Sequence, residues 1–322
     1  MRTTRERSAL GPPPAGGAVT SIGVFDGVHL GHQAILAANV ARARELGAEA
    51  TVVTFSSHPK QTLLGRAPRT LTTLAHRLEL FERAGIDHTL VVPFDEEVRR
   101  TPARVFTEEL LVGELGTRHF VLGFDSRFGE GREGDAAFLA ALGHPVTVVP
   151  RVEVRQRGVS STAIREAVEL GDLEGARAML GRPVAVLGTV VEGGQVGRKL
   201  GFPTANLDLA HELHPPVGVY ACTACVLEGE RVGGAGRCWN AVCNIGFRPT
   251  VDGTPAPLPV VEAHLLDFEG DLYGRRIELA FLAPLRGERR FPSLEALREQ
   301  IARDIEAARA LFTRSEPLAP RG

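Results

Sequence analysis

The chain has 322 residues, of which 43% are hydrophobic and 24% charged. That balance excludes a mostly disordered or fibrous chain, and roughly 150 residues per domain makes two domains the expectation. The net charge of −2 lacks the Lys and Arg excess of a broad nucleic-acid footprint, and no apolar run approaches the ~18 residues of a spanning helix.

The N-terminus does not read as a signal peptide. Arg2, Arg5 and Arg7 supply positive charge, but Pro12, Pro13, Pro14, Gly16 and Gly17 interrupt any apolar core. A cytoplasmic protein is expected, with no membrane and no nucleic-acid partner. Lys60 and Lys199 are the two lysines, so the many arginines are read as genomic background.

The first half alternates strand-like and helix-like stretches. Strands are predicted at 19–25, 50–55, 90–94, 119–122 and 146–149. Helices are predicted at 33–46 and 71–84, the second with Leu71, Leu74, Leu78 and Phe81 at helical spacing. Thr101 and Pro102 open another, with Thr101 as N-cap and Pro102 at the first helical position, and with Phe106, Leu110 and Leu111 as its buried stripe. Continuous apolar strands alternating with helices imply a doubly wound parallel sheet. Such sheets bind ligands at the carboxyl ends of their strands.

The pattern changes near Gly181-Arg182-Pro183, after two short helical stretches at 162–170 and 173–180. β-Branched segments follow at 184–191, 217–227, 239–245, 260–266 and 276–281. In the last, Ile277, Leu279 and Phe281 alternate with Arg276, Glu278 and Ala280. Short strands at this spacing predict a small antiparallel β-barrel. Ser293 then caps a closing helix with Leu294, Leu297, Ile301, Ile305 and Ala308 on one face, and residues from 315 on are expected to fray. No internal repeat is visible. The expected fold class is α/β followed by β, with domains 1–182 and 183–322.

Cys222, Cys225, Cys238 and Cys243 have the outline of a zinc ribbon. The first two fall in a predicted strand, where residues three apart face opposite sides, and Thr223-Ala224 offers no tight turn. All four are expected to be small buried hydrophobes.

Two segments of the first half suit phosphate. Gly23-Val24-Phe25-Asp26-Gly27-Val28-His29-Leu30-Gly31-His32 lies where the first strand gives way to a helix. Free N–H groups and the positive end of the dipole favour an anion there, Gly27 and Gly31 let backbone approach it, and His29 and His32 share one side. Gly158-Val159-Ser160-Ser161-Thr162-Ala163-Ile164-Arg165 opens another helix with three hydroxyls and an Arg, a second anion cradle.

Together these strings resemble the nucleotidyltransferase superfamily with HxGH and ISSTxxR motifs. Within it, the first half resembles prokaryotic FAD synthetase. The shared pattern continues at Thr54-Phe55, His58-Pro59, Pro93-Phe94-Asp95, Gly123-Phe124-Asp125, Arg127-Phe128-Gly129, Arg132 and Gly134-Asp135. Where that family has an aromatic residue, this chain has Ser126. A Lys-rich KMSKS loop, which the aminoacyl-tRNA synthetase relatives need, is missing from a chain with two lysines.

The second half carries Gly197-Arg198-Lys199-Leu200-Gly201-Phe202-Pro203-Thr204-Ala205-Asn206-Leu207. The Gly-x4-Gly-Lys-Ser/Thr P-loop does not fit it, yet Gly-rich backbone, two cations and two neutral oxygens suit a metal–phosphate site. Gly218-Val219-Tyr220-Ala221, Asn244-Ile245-Gly246-Phe247-Arg248-Pro249-Thr250, Glu262-Ala263-His264-Leu265-Leu266-Asp267-Phe268, Gly270-Asp271-Leu272-Tyr273-Gly274, Gln300-Ile301 and Asp304 resemble the riboflavin kinase family. From about 21 to 309 the chain is similar to bifunctional riboflavin kinase/FAD synthetases.

The resemblance implies two activities, with riboflavin, FMN and ATP as substrates and Mg²⁺ accompanying ATP. Glu262 matches the kinase's general base, and Thr204 and Asn206 its Mg²⁺–ATP ligands. Gly197, Lys199 and Gly201 fall to its phosphates. His29, His32 and Arg165 match the adenylyl-transfer residues. Gly23, Phe25, Asp26, Gly27, Gly31, Ser160, Ser161 and Thr162 line the nucleotide, and Asp125 contacts the nucleotide or the metal. Three rival readings are a chain with one working half, a flavin sensor without turnover and a tRNA-type nucleotidyl enzyme. Ser126 favours the first, the intact HxGH and Glu262 oppose the second, and charge opposes the third.

Overall fold

A computed structural model describes residues 1–57, 69–194, 196–209, 213–227, 237–247 and 259–314. It divides into two compact units, Met1–Ser161 and Thr162–Gly322.

The first unit is built on a six-stranded parallel sheet. Its strands are β1 (Arg2–Thr4), β2 (Ala18–Ile22), β3 (Glu49–Phe55), β4 (His88–Val92), β5 (Thr117–Gly123) and β6 (Val146–Val149). Their spatial order is β1-β4-β3-β2-β5-β6. The order reverses at β2, which lies between β3 and β5, so the switch point falls at the carboxyl ends of β2 and β5. Helix α1 (Leu30–Leu46) packs on one face and buries Leu36, Val40 and Ala43. Asn39 pins it there: its fully buried amide nitrogen lies 3.0 Å from Val19 O, 2.9 Å from Ser21 Oγ and 3.1 Å from Thr51 O. On the other face, Ile22, Val53, Leu90, Phe120 and Leu122 meet Phe106, Leu110 and Leu111 in one core.

The helix carrying those last three residues departs from expectation. After a single turn, Ala103–Val105, it widens into a π-helix, Phe106–Glu114. Pro102, not Thr101, takes the cap position, and no side chain caps it. The Thr101 hydroxyl instead donates backwards to Glu97 O at 2.9 Å. The predicted stripe of Phe106, Leu110 and Leu111 is buried, because widening the helix by one residue per turn preserves the 106/110/111 cluster.

Sequence reading also missed β1. It pairs in parallel with β4, Arg2 opposite His88 and Thr4 opposite Leu90. The buried His88 ring fastens this edge, with Nδ1 3.2 Å from an Arg2 guanidinium nitrogen and Nε2 3.0 Å from Thr4 Oγ1. Arginine only donates, so Nδ1 accepts and Nε2 carries the proton.

The second unit begins at Thr162, inside helix α2 (Ser161–Glu169), adds α3 (Leu173–Leu180) and continues as a barrel. Its strands are β7 (Val184–Val191), β8 (Ala205–Asp208), β9 (Gly218–Leu227), β10 (Arg237–Gly246), β11 (Val260–Leu265) and β12 (Arg276–Arg286). They close in the order β8-β11-β10-β9-β12-β7, each pair antiparallel. Alternation fills the interior with Val186, Cys243, Val261, Ala263, Ile277 and Leu279, all fully buried. The sequence left β8 as loop because four residues after a proline give too short a pattern.

Helix α4 (Leu294–Arg314) covers part of the barrel's outside, where Val219, Ala221, Val242 and Leu266 meet Ala308, Ile305 and Leu311. Ser293 caps it as expected, accepting from Ala296 N at 3.1 Å. Leu294, predicted on its buried face, is exposed at the first position of the helix. Arg286 of β12 anchors the helix through two guanidinium contacts to the buried Asp304, at 2.9 and 3.0 Å. The stretch after 314 lies outside the described residues.

The cysteine expectation holds for two residues and fails for two. Cys222 and Cys243 are buried free thiols inside the barrel, and burial, together with neighbouring Cys243, pushes the Cys222 thiol well above its ordinary value. Cys225 and Cys238 face outward, stand opposite each other in the β9–β10 ladder and form a disulfide. Linear spacing does not reveal a pair made by hairpin register.

The edge histidine gives a testable pH dependence. Burial, and then Arg2, push the His88 imidazole down to about 4. The unfolded chain, titrating near ~6.5, binds that proton more readily. Stability contributed by neutral His88 is therefore full above ~6.5 and lost as pH falls towards ~4. Urea titrations of wild type and His88→Gln between those pH values should show a shallower pH dependence in the variant.

Candidate functional sites

The first site is the turn between β2 and α1. Three of its residues have positive φ: Phe25 at 53°, Gly27 at 81° and Val28 at 38°. Such a backbone is strained for Phe and Val, and its surroundings hold it. The Phe25 ring is buried, edge-on to a neighbouring phenylalanine, Phe81, at 5.6 Å and to His32 at 5.2 Å. Val28 N donates to Phe25 O at 3.0 Å, and the Gln33 amide donates to Val28 O at 2.9 Å. At Gly27 a Cβ would lie 2.7 Å from a Leu71 methyl, so glycine is required twice over.

His29 is the N-cap of α1, its Nδ1 accepting from His32 N at 3.3 Å. With Nδ1 accepting, the neutral ring carries its proton on Nε2 as a donor. The two imidazoles stack with centroids 3.6 Å apart and planes 15° from parallel. Gly31 makes this possible, because a Cβ there would stand 3.2–3.3 Å from the His29 ring. The spacing thus has a mechanical cause. The first histidine caps, the glycine leaves room, and the second histidine lies on the first at the positive end of a 17-residue helix.

Asp26 fastens this turn. Its buried carboxylate accepts from Leu71 N at 3.3 Å, Thr72 N at 3.1 Å and Thr72 Oγ1 at 3.3 Å. Thr72 Oγ1 in turn lies 2.9 Å from Gly27 N. The Asp26 carbonyl accepts from Ser161 Oγ at 2.9 Å, across 135 residues of sequence. The glycine-rich turn and the serine of the second cradle therefore meet. Thr162 and Arg165 follow on α2, and Arg165 stands one helical turn after Ser161.

Arg77, not singled out by the sequence, is 5% exposed and donates to Val24 O, to Thr54 Oγ1 at 3.3 Å and to Phe55 O at 3.1 Å. Burial lowers its guanidinium below the ordinary value, partly opposed by Asp26. One arginine among many carries no sequence signal of burial. At the end of β5, Ser126 Oγ accepts from Gly123 N at 3.0 Å and closes a tight turn. Asp125 is exposed.

The second site lies on the outer face of the barrel. Register places Asn206 of β8 and Asn244 of β10 on either side of Glu262 of β11, directly opposite it in the two ladders. Directly opposed residues share a face, so the three form one polar row, with the carboxylate between two amides. Asn206 is 5% exposed although it points outward. The chain before β8 covers it: a side chain at Gly193 would collide with its amide, and one at Gly197 would lie 3.2 Å from Thr204 Oγ1. Leu200 N and Phe202 N both donate to Gly197 O, at 3.1 and 2.8 Å. His264 Nδ1 donates to Pro203 O at 2.7 Å and fixes the start of β8. The sequence named Glu262, Thr204 and Asn206 but did not single out Asn244, whose partnership exists only in the register. His58, Pro59, Arg248, Pro249, Thr250 and the Lys199 side chain lie outside the described residues.

Comparison with known proteins agrees with both halves. The FAD synthetase family matches residues 12–163, and the riboflavin kinase family residues 180–312. The chain belongs to the bifunctional riboflavin kinase/FMN adenylyltransferase family. It is 40% identical over 303 residues to the relative of that name from Pseudomonas fluorescens, covering 93% of this chain and 94% of the relative. The relative of the same name from Haemophilus influenzae is 37% identical over 301 residues, covering 92% and 94%. A solved structure described as a macrolide-efflux protein from Streptococcus pneumoniae is similar with a TM-score of 0.78 and 28% identity, covering 95% of this chain and 98% of the other. Among the described residues no helix is long and apolar enough to cross a membrane. Members of this family are enzymes of flavin-cofactor biosynthesis, and this chain has both domains.

The contacts of Asp26 make it a clamp for the turn. Asp26→Ala leaves two buried N–H groups without their acceptor and should lower the unfolding free energy of the first unit by about 2–4 kcal/mol. Urea denaturation monitored at the first unit checks this, and a loss under about 0.5 kcal/mol would contradict it.

Proposed function

We propose that the chain converts riboflavin to FMN on its barrel and FMN to FAD at the first βα turn, with ATP as co-substrate of both. The observation that carries the second step is the capped, stacked His29–His32 pair, tied to the Ser161 cradle through the Asp26 carbonyl. We place the functional division at 1–182 and 183–322, and the protein in the cytoplasm.

In the kinase step a neutral ribityl hydroxyl attacks the γ-phosphorus of ATP. Its proton needs an acceptor, and Glu262, flanked by Asn206 and Asn244, supplies a carboxylate there. Thr204 and Asn206 offer neutral oxygens beside Gly193 and Gly197, whose missing side chains let the backbone come close to them. That donor set fits Mg²⁺, which takes its anionic ligands from the nucleotide. Bound with ATP, the ion neutralises phosphate charge. Gly197, Lys199 and Gly201 frame the phosphates.

In the adenylyl step the FMN phosphate attacks the α-phosphorus of ATP and pyrophosphate leaves. This nucleophile is already ionised, so positioning and charge neutralisation dominate. The Nε2–H of His29, the His32 ring, the hydroxyls of Ser160, Ser161 and Thr162, and the Arg165 guanidinium serve those ends. Gly23, Phe25, Asp26, Gly27 and Gly31 shape the backbone, with the Asp26 carboxylate acting through the fold. Exposed Asp125 is assigned to the nucleotide side of this site.

Two substitutions separate the steps. Glu262→Gln keeps size and hydrogen bonding but cannot take the ribityl proton. FMN formation should fall by ~10²-fold or more, about 2.7 kcal/mol of barrier, with riboflavin affinity little changed. A kinase rate within about threefold of wild type would leave Glu262 a strand residue only.

His32→Ala should do the reverse. Conversion of supplied FMN to FAD should fall by ~10²-fold while riboflavin phosphorylation persists. Equal loss of both activities in a folded variant would contradict two separate sites.

A further inference from the structure

We propose that Cys225 and Cys238 form a reversible thiol–disulfide exchange site on the outer face of the barrel, opened by dithiols and closed by small disulfides. Its state sets how firmly the start of β10 is held. The site stands apart from both catalytic sites and uses none of their residues.

Strand β10 begins as a one-sided edge. Its ladder to β11 runs from Gly246 back to Ala241, with one further bond from Leu266 N to Asn240 O at 2.8 Å. Among the described residues, Arg237, Cys238 and Trp239 pair with β9 alone. β9 is embedded at this level, with Cys225 opposite Cys238 on one side and opposite Glu278 of β12 on the other. The disulfide therefore fastens a free strand end to a held one, across a hairpin that separates the two cysteines by 13 residues. Next to it stands Trp239, the one tryptophan of the chain. Its ring meets Phe268 edge-on at 5.0 Å, just beyond the end of β11. Opening the disulfide leaves only the ladder to β9 and this ring contact to hold the segment. A strand end held so lightly opens locally at low cost.

The four cysteines divide by access. Cys222 and Cys243 are fully buried, and burial pushes the Cys222 thiol well above its ordinary value, so neither is open to exchange. Cys238 is exposed and Cys225 half-buried, so a nucleophile reaches Cys238 Sγ first. Arg237, exposed beside it, offers a cation to an approaching thiolate. The thiolate of a dithiol attacks Cys238 Sγ, the S–S bond breaks, and Cys225 leaves as a thiolate that takes up a proton. The second thiol of the reagent attacks the mixed disulfide, closes the reagent's own disulfide and releases Cys238. Two electrons and two protons have then passed from the dithiol to the protein. A small disulfide runs the reverse, leaving as two thiols. In the cytoplasm, where we place the chain, an exposed disulfide stands in balance with such thiols.

The test uses the full-length chain under native conditions. Iodoacetamide labelling read by mass spectrometry should find Cys225 and Cys238 unlabelled after glutathione disulfide and both labelled after dithiothreitol, whichever treatment comes first. Cys222 and Cys243 should stay unlabelled until the chain is denatured. Reduction should change the Trp239 fluorescence and lower the Tm read at that tryptophan by about 5 °C or more. A variant carrying Cys225→Ser and Cys238→Ser should match the reduced chain and respond to neither reagent. Failure of dithiothreitol to open the pair, or of glutathione disulfide to close it, would overturn the exchange site. Labelling of Cys222 or Cys243 in the native chain would overturn the division by access. Fluorescence and Tm that are equal in the two states, or that respond equally in the double variant, would overturn the hold on β10. Should the double variant fail to fold, the labelling and the wild-type fluorescence still decide.

Discussion

One residue, Asp26, holds the first site together. Its carboxylate gathers the backbone of Leu71 and Thr72, and its carbonyl receives the Ser161 hydroxyl. A buried carboxylate is costly unless its lone pairs are filled, and here the donors come from a segment 45 residues away. The strained φ values of Phe25 and Val28 persist because this clamp, the Phe25 ring and Arg77 over-determine the turn. The stacked histidines depend on the same geometry, since α1 begins where the turn releases it.

The two sites solve the problem of precision differently. The first is made of loops, and its accuracy comes from side chains that bond to backbone. The second is made of strands, and its accuracy comes from the ladder. Asn206, Glu262 and Asn244 stand in line because three neighbouring strands are hydrogen-bonded in register. Their alternate neighbours, among them Val261, Ala263, Cys243 and Ile245, fill the barrel. The chain before β8 then lowers over Asn206, and glycine at 193 and 197 lets it come close.

Much of this was legible in the sequence. Apolar runs alternating with helical periods gave the parallel sheet, and Ile277, Leu279 and Phe281 marked a half-buried strand correctly. The first βα turn could be read because glycine and histidine at fixed spacing have local causes. What stayed hidden was long-range. Arg77 looks like any surface arginine, β1 is three residues long, and Asn244 gains its meaning from a partner 18 positions away in register. The Cys225–Cys238 pair had the same origin, a hairpin alignment that spacing does not encode. Thr101 and Leu294 failed for a different reason. Each sits at a helix end, where cap preferences compete with the neighbouring chain.

The polar row on the barrel has a consequence for how such a chain tolerates insertions and deletions. Strand β11 alternates strictly, with Val261, Ala263 and Leu265 inward and Glu262 and His264 outward. Slipping it by one residue exchanges the two sets. A carboxylate would enter a closed apolar interior while two aliphatic side chains came to face Asn206 and Asn244. Chemistry and folding are thus written in the same reading frame of the strand. A frame error of this kind has no partly active intermediate, so length changes can accumulate in the connections but not within β8, β10 or β11.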